Sequence, residues 1–367
     1  MKPEARIAFV TDALPSLGGG ERVLFAALEA FPKAELFTLV YNKNAFTSTP
    51  LAERRVNTSF LDRIPMAHTH HRLFLPLMPL AIESFDLREY DIVVSFSYAV
   101  AHGARHRDDA RHISYTYTPM RYAWTNLNLD GTPSRKNPLL NGFLRWFRTW
   151  DKDAASRVHE FAAISQAVSQ RIAYAYQRRA SIIYPPVEVE RFKPSPKREN
   201  FYITVTRLVP HKRVDLLVQA FTQLKLPLLI VGEGPQLPHL KSMAGPNVQF
   251  LGFQTDEKVA ELLGKARGFV CATAEDFGIA IVEAQAAGCP VIAYGGGGAL
   301  ETVIDGVTGF FFPEQTSESL TTTLLRFERE RTRFHIPDLL RNAQRFNKSR
   351  FVTAFGEFVR QPSTIVS

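Results

Sequence analysis

Gly268 to Phe312 reads GFVCATAEDFGIAIVEAQAAGCPVIAYGGGGALETVIDGVTGFFF, and its punctuation decides the fold. Phe269 to Ala272 is an apolar run of strand length, a polar loop follows, and a helix is expected from about Phe277. Pro290 to Tyr294 is a second strand, closing on four contiguous glycines. Strand, loop, helix and strand in this order make the repeating unit of a parallel α/β sheet. Two carboxylates frame the helix entry, Glu275 just before it and Glu283 inside it. The first amides of such a helix, here at Gly278 and Ile279, sit at the positive end of its dipole and bind anions. Carboxylates on either side of an anion site fit a ligand in which phosphate is flanked by two sets of hydroxyls.

Working outward, the same unit recurs along the chain. Phe201 to Thr206 is a strand, the loop RLVPHKR follows, and Val214 to Leu224 is a helix. Leu228 to Val231 closes on Gly232-Glu233-Gly234-Pro235, Val248 to Leu251 is a further strand, and Asp256 to Arg267 an amphipathic helix capped by Thr255 or Asp256. Near the start, Arg6 to Thr11 is a strand, followed by the glycine-rich loop DALPSLGGGE and a helix from Arg22 to Phe31. The glycines at 18, 19 and 20 are contiguous, so the dinucleotide fingerprint G-x-G-x-x-G is absent and no nicotinamide or flavin cofactor is expected. Pro185-Pro186 breaks both helix and strand. It divides the chain into residues 1–186 and 187–345, two Rossmann-like, doubly wound parallel-sheet domains expected to face a central cleft. A helix over 346–367, apolar at Phe346, Phe351, Phe355 and Phe358, completes the chain.

Length and composition agree with this division, since 367 residues with 45% hydrophobic and 22% charged side chains is the size and character of two globular domains. Cys271 and Cys289 lie in apolar runs, where core packing accounts for them. With no leader-like segment, the expected location is the cytoplasm. Net charge is +8, and residues 101–150 concentrate it, with 8 Lys/Arg against 3 Asp/Glu. No uninterrupted apolar run is long enough to span a membrane. The basic and aromatic stretch Phe143, Arg145, Trp146, Phe147, Arg148 and Trp150, with the leucine-rich segment after His68, His70, His71 and Arg72, fits a peripheral contact with an anionic membrane surface. The basic residues form no nucleic-acid module, so no nucleic-acid partner is expected. Asp151-Lys152-Asp153, the one D-x-D, reads as a solvated helical face rather than a metal site.

Arg207 and Lys212, five positions apart in one loop, suit a diphosphate: a guanidinium grips it in a fork and an ammonium adds a point charge. Such a loop can also be simply solvated. Arg121, in the turn TPMRYAW, is expected in a loop facing the cleft.

EDFGIAIVE, an E-x7-E motif, together with GGGE, RLVPHK, GEGP and GVTGFFF, resembles glycosyltransferase family 4, retaining enzymes of GT-B fold. The likeness runs through the whole chain in the expected order. It implies that Glu275 binds sugar hydroxyls, Glu283 the ribose, and Arg207 and Lys212 the diphosphate of a nucleotide-sugar donor, with Gly19 and Gly20 closing on it. Phe253, Phe277, Gly278 and Ile279 complete the implied donor set. YTYTPMRYAW is similar to the corresponding stretch of bacterial O-antigen and capsule mannosyltransferases, which use GDP-mannose; Tyr117 stands where those relatives carry histidine, and with Glu275, Arg207 and Lys212 it makes the implied catalytic set. The implied activity is transfer of a hexose, mannose first, to a lipid-linked or growing polysaccharide acceptor, without metal or other cofactor, in the cytoplasm or on the inner face of the membrane. A UDP-sugar transferase, a GT-B sugar-nucleotide epimerase and a non-catalytic sugar-nucleotide or membrane-binding module are the competing readings.

Overall fold

The computed structural model describes residues 5–124, 138–195 and 197–361. Outside them lie Arg135 and Lys136 of the basic stretch and residues 362–367 of the expected terminal helix; the side chains of His71 and Arg72 are likewise not described. The described residues fall into two compact units, 5–124 with 138–184 and 351–361, and 185–195 with 197–350.

The first unit is built on a seven-stranded sheet of β1 (Ile7–Thr11), β2 (Glu35–Thr38), β3 (Val56–Thr58), β4 (Ile92–Ser97), β5 (Arg111–Thr116), β6 (Glu160–Ala163) and β7 (Ala180–Ile182). Their order is β3-β2-β1-β4-β5-β6-β7, every pair parallel. Central strands such as IVVSFS are buried almost throughout, because helices cover both faces of a parallel sheet. The strand order reverses between β1 and β4, the point where open α/β sheets bind ligands.

The helix Lys348–Arg360 belongs to this unit from Phe351 onward. Phe355 is fully buried, its ring 6.2 Å from Phe9, 5.8 Å from Phe96 and 6.0 Å from Tyr115. Arg111, on β5, donates to the carbonyls of Phe358, Val359 and Gln361, meeting the unpaired carbonyls and negative end of that helix with a cation.

The second unit carries β8 (Tyr202–Val205), β9 (Leu228–Val231), β10 (Val248–Gly252), β11 (Gly268–Cys271), β12 (Val291–Tyr294) and β13 (Gly309–Phe312). They are all parallel, in the order β10-β9-β8-β11-β12-β13. The reversal here lies between β8 and β11. The expected helix Val214–Leu224 is present with those bounds, and Thr255 caps the helix Asp256–Lys265 through its hydroxyl.

Three local expectations are corrected. The helix expected from Phe277 begins at Ile279, with Gly278 as its N-cap at φ 94°, a left-handed conformation that favours glycine. The glycine loop of the first unit is shorter than expected, since Gly19 and Gly20 already form the first turn of the helix Gly19–Ala30. Arg121 opens a short helix, Arg121–Trp124, rather than lying in a loop.

Candidate functional site

In the second unit the loops at the carboxyl ends of β8 and β11 meet across the switch point. Lys212 ends the short turn Pro210–Lys212 after β8, and Glu275 lies in the loop after β11. The Lys212 ammonium donates to both Glu275 oxygens at 2.7 Å, and neither side chain is more than one-fifth exposed. The Thr273 hydroxyl donates to the His211 carbonyl at 2.8 Å, tying the two loops together just beside the pair. Burial, with the Glu275 charge nearby, pushes the Cys271 thiol up to about 12, so it stays a neutral packing group.

The last two of the four glycines, Gly297 and Gly298, support this arrangement. Gly298 donates its amide to the Glu275 carbonyl at 2.7 Å, and Gly297, at φ 64°, lies so close that a Cβ there would come within 2.3 Å of that carbonyl. Any side chain at 297 would displace the backbone that carries Glu275. Phe277 is buried with its ring 5.3 Å from Phe346, so that ring is a packing group. Ile281 is bonded back to Gly278, which leaves the Ile279 and Ala280 amides at the open end of the helix Ile279–Ala286.

Glu283 projects from that helix toward Arg191, whose guanidinium reaches it at 3.1 Å and Asp256 at 2.7 Å. Arg207 stands exposed on the loop after β8. That loop is braced by the GEGP turn, the Leu208 amide donating to the Glu233 carbonyl and Gln236 to that of Leu208. The Glu233 carboxylate in turn accepts from the Phe253 amide at 3.4 Å, while Phe253 is 77% exposed, an apolar residue at the strand ends. The structure thus brings Lys212 to Glu275 and Arg191 to Glu283, with Arg207 and Phe253 on adjoining loops.

The corresponding edge of the first unit carries Tyr117. The hydroxyl of Tyr117 donates to the Gly20 carbonyl at 2.9 Å, pinning the first turn of Gly19–Ala30, and a Cβ on Gly20 would lie 3.6 Å from the phenol ring. Burial, reinforced by Tyr115 and Glu21, holds that phenol well above its usual pKa, so it is a hydrogen-bond donor and not a base near neutrality.

Beneath it lies a residue that sequence reasoning missed. Asp12, fully buried after β1, accepts four amides of the turn after β4: Tyr98 at 2.7 Å, Ala99 at 3.0 Å, Val100 at 2.6 Å and Ala101 at 2.8 Å. A polar residue directly after an apolar strand was its one signal.

Asp151 was also misread. Far from being solvated, it is fully buried, accepts the Trp124 indole at 2.7 Å and lies 3.1 Å from the His102 imidazole, which meets the Ser97 hydroxyl at 3.0 Å. Among the described residues, no group of three or more His, Cys, Asp or Glu side chains is arranged to hold a metal ion.

Of the aromatic stretch, Phe147 is buried and Trp150 donates its indole to Glu83, leaving Trp146 exposed. Leu73, Leu77 and Leu80 are exposed as well, and no described helix is long and apolar enough to cross a membrane.

The family description "Glycosyltransferase Family 4" matches residues 17–191, and "Glycosyl transferases group 1" matches residues 187–346. The GDP-mannose-dependent alpha-(1-6)-phosphatidylinositol monomannoside mannosyltransferase of Mycolicibacterium smegmatis is 32% identical over 193 residues, which are 44% of this chain and 50% of that protein. The D-inositol 3-phosphate glycosyltransferase of Mycobacterium bovis is 31% identical over 155 residues, 36% of this chain and 32% of that one. The matched stretch therefore spans half or less of the length of these curated relatives.

Among solved structures, the sucrose-phosphate synthase of Thermosynechococcus elongatus superposes with a TM-score of 0.77 at 19% identity, covering 97% of this chain and 99% of that one. HepE of Anabaena, in complex with UDP and glucose, gives 0.71 at 19% identity, covering 98% and 100%. Two parallel Rossmann-like sheets, two family descriptions that between them run from residue 17 to 346, and these structural likenesses place the chain in glycosyltransferase family 4, with the GT-B fold.

Proposed function

We propose that the chain moves a hexose, mannose from GDP-mannose, with retention of configuration, onto a lipid-linked or growing glycan acceptor in cell-surface glycan synthesis. The observation that carries this reading is the Lys212–Glu275 pair at the open end of the helix Ile279–Ala286. In it a cation for a diphosphate and a carboxylate for sugar hydroxyls share one point. When donor enters, Lys212 exchanges the carboxylate for phosphate oxygens, Arg207 adds a second cation, and Glu275 turns to the hexose.

The acceptor oxygen bonds to the anomeric carbon as the bond from that carbon to the diphosphate oxygen breaks. Departure and attack share one face, and the acceptor proton passes to the leaving diphosphate. The protein's part is to stabilise the charge growing on the leaving group, which Lys212, Arg207 and the helix amides supply without a metal or cofactor. Gly19, Gly20, Arg121 and Tyr117 belong to the first unit's share of the work, with Tyr117 holding shape rather than moving a proton. The names of the mannosyltransferase relatives favour GDP-mannose, while the UDP and glucose of the HepE structure keep a UDP-sugar as the alternative.

Melting curves across a panel of nucleotide sugars test the donor, because a ligand bound by the folded state alone raises its melting point. Radiolabelled GDP-mannose with a bacterial lipid extract tests the reaction. The reading expects the largest shift with GDP-mannose and label in the lipid fraction. A larger shift with a UDP-sugar moves the donor to the alternative, and an epimer or no transferred label overturns the transferase reading.

Exposed Leu73, Leu77 and Leu80, with Trp146 and Arg145 also exposed, favour a peripheral seat on an anionic membrane, at the inner face of the cell membrane. Replacing the three leucines by serine is expected to cut co-sedimentation with phosphatidylglycerol vesicles; unchanged binding contradicts the seat.

A further inference from the structure

Arg191 ends the short turn Val189–Arg191, outside every motif that marks the donor site, yet its guanidinium is held from three sides. One arm meets Asp256 at 2.7 Å, in the first turn of Asp256–Lys265, and the other meets Glu283 at 3.1 Å, while the guanidinium carbon Cζ lies 4.7 Å from the Phe192 ring centroid. Glu283 is 14% exposed and Arg191 21%, so the pair is largely shielded from water, whereas Asp256 is 46% exposed and anchors the far end. A glutamate on a helix has three rotatable side-chain bonds, and binding a vicinal diol requires its carboxylate in one orientation. A guanidinium fixed by a second carboxylate and a ring is a rigid clamp for it, because its donors form a planar fork.

We infer that Arg191 is a positioning residue that holds the Glu283 carboxylate in the orientation a ribose diol requires, with Asp256 as its anchor. This rests on the reading above in which Glu283 takes the ribose of the donor. It adds a requirement that reading lacks: discrimination between ribose and deoxyribose depends on a side chain that itself touches no nucleotide.

The test is calorimetric titration of the full chain with GDP and 2′-deoxy-GDP, and with UDP and 2′-deoxy-UDP in parallel. Wild type, Arg191→Ala, Arg191→Met and Glu283→Ala are compared. Methionine keeps an apolar stem on Phe192 and covers the case in which the alanine variant fails to fold. A hydrogen bond from a hydroxyl to a carboxylate corresponds to about tenfold or more in affinity, so wild type is expected to prefer the ribonucleotide by that factor.

In the folded Arg191 variants the ratio is expected to drop to within about threefold of unity, chiefly through weaker binding of the ribonucleotide. Loss of affinity for both nucleotides alike, with the ratio kept, is what a merely structural role gives, and it overturns the inference. If Glu283→Ala abolishes the ratio while neither Arg191 variant does, the ribose role of Glu283 stands and the inference alone falls. If wild type shows no preference, or Glu283→Ala keeps it, the ribose reading falls and takes the inference with it.

Discussion

Between β1 and β4 a carboxylate, Asp12, is buried and wholly engaged with four backbone amides, while between β8 and β11 a carboxylate, Glu275, is partly exposed and engaged with one lysine. Both stand at the point where a parallel sheet reverses its strand order. Their partners set them apart. Backbone amides cannot leave, so Asp12 is a permanent brace that fixes the turn Tyr98–Ala101 relative to the strand before the glycine loop. An ammonium on a flexible stem can leave, so the Lys212–Glu275 pair is, on the proposed function, a placeholder that a better anion displaces. One switch point thus carries rigid shape and the other exchangeable charge.

That contrast breaks most visibly at Asp12. Alanine there leaves four buried amides without their acceptor, and the expected loss is about 3–5 kcal/mol of stability in the first unit. Trp124, Trp146 and Trp150, the three tryptophans of the chain, all belong to that unit, so urea unfolding followed by tryptophan fluorescence reads it separately. An unchanged midpoint would remove the brace from the account.

The same signal sharpens the comparison through pH. His112 is fully buried, and burial first, with His106 and His102 nearby, holds its imidazole well below 6.5. The unfolded chain takes up the proton near its ordinary value while the folded chain does not, so stability is full above pH 6.5 and falls as the pH drops below it. One such group is expected to cost the first unit on the order of 1 kcal/mol between pH 7 and pH 5.5. His112→Gln should flatten that slope, and an equal slope in the variant assigns it elsewhere.

A smaller effect belongs to Tyr117→Phe. It removes the single hydrogen bond to the Gly20 carbonyl and is expected to cost about 1 kcal/mol while transfer continues. Abolished transfer in a folded variant would restore a chemical role to the phenol.

Most strands were legible because they are short apolar runs punctuated by glycine and proline, a local signal; β3, three residues of which only Val56 is apolar, carries none. The helix Val214–Leu224 was legible as well, since its apolar period is complete within itself. Lys212, Glu275 and Glu283 could be named because their spacing from strand ends survives in one dimension. Asp12 could not: its partners lie 86 to 89 positions away and are backbone groups, which carry no residue identity. Arg191 meets a carboxylate 92 positions on, and Asp151 was hidden by a D-x-D pattern on a helix whose buried face also takes a charge once His102 and Trp124 receive it.

The central claim is that the Lys212–Glu275 pair keeps the place of a nucleoside diphosphate sugar. Calorimetric titration of GDP-mannose into wild type and Lys212→Ala tests it most directly, with circular dichroism confirming an intact fold. The account predicts saturable binding to wild type and a loss of about a hundredfold in the variant, the weight of one charge-assisted contact to phosphate. Equal affinity in the two proteins would contradict it.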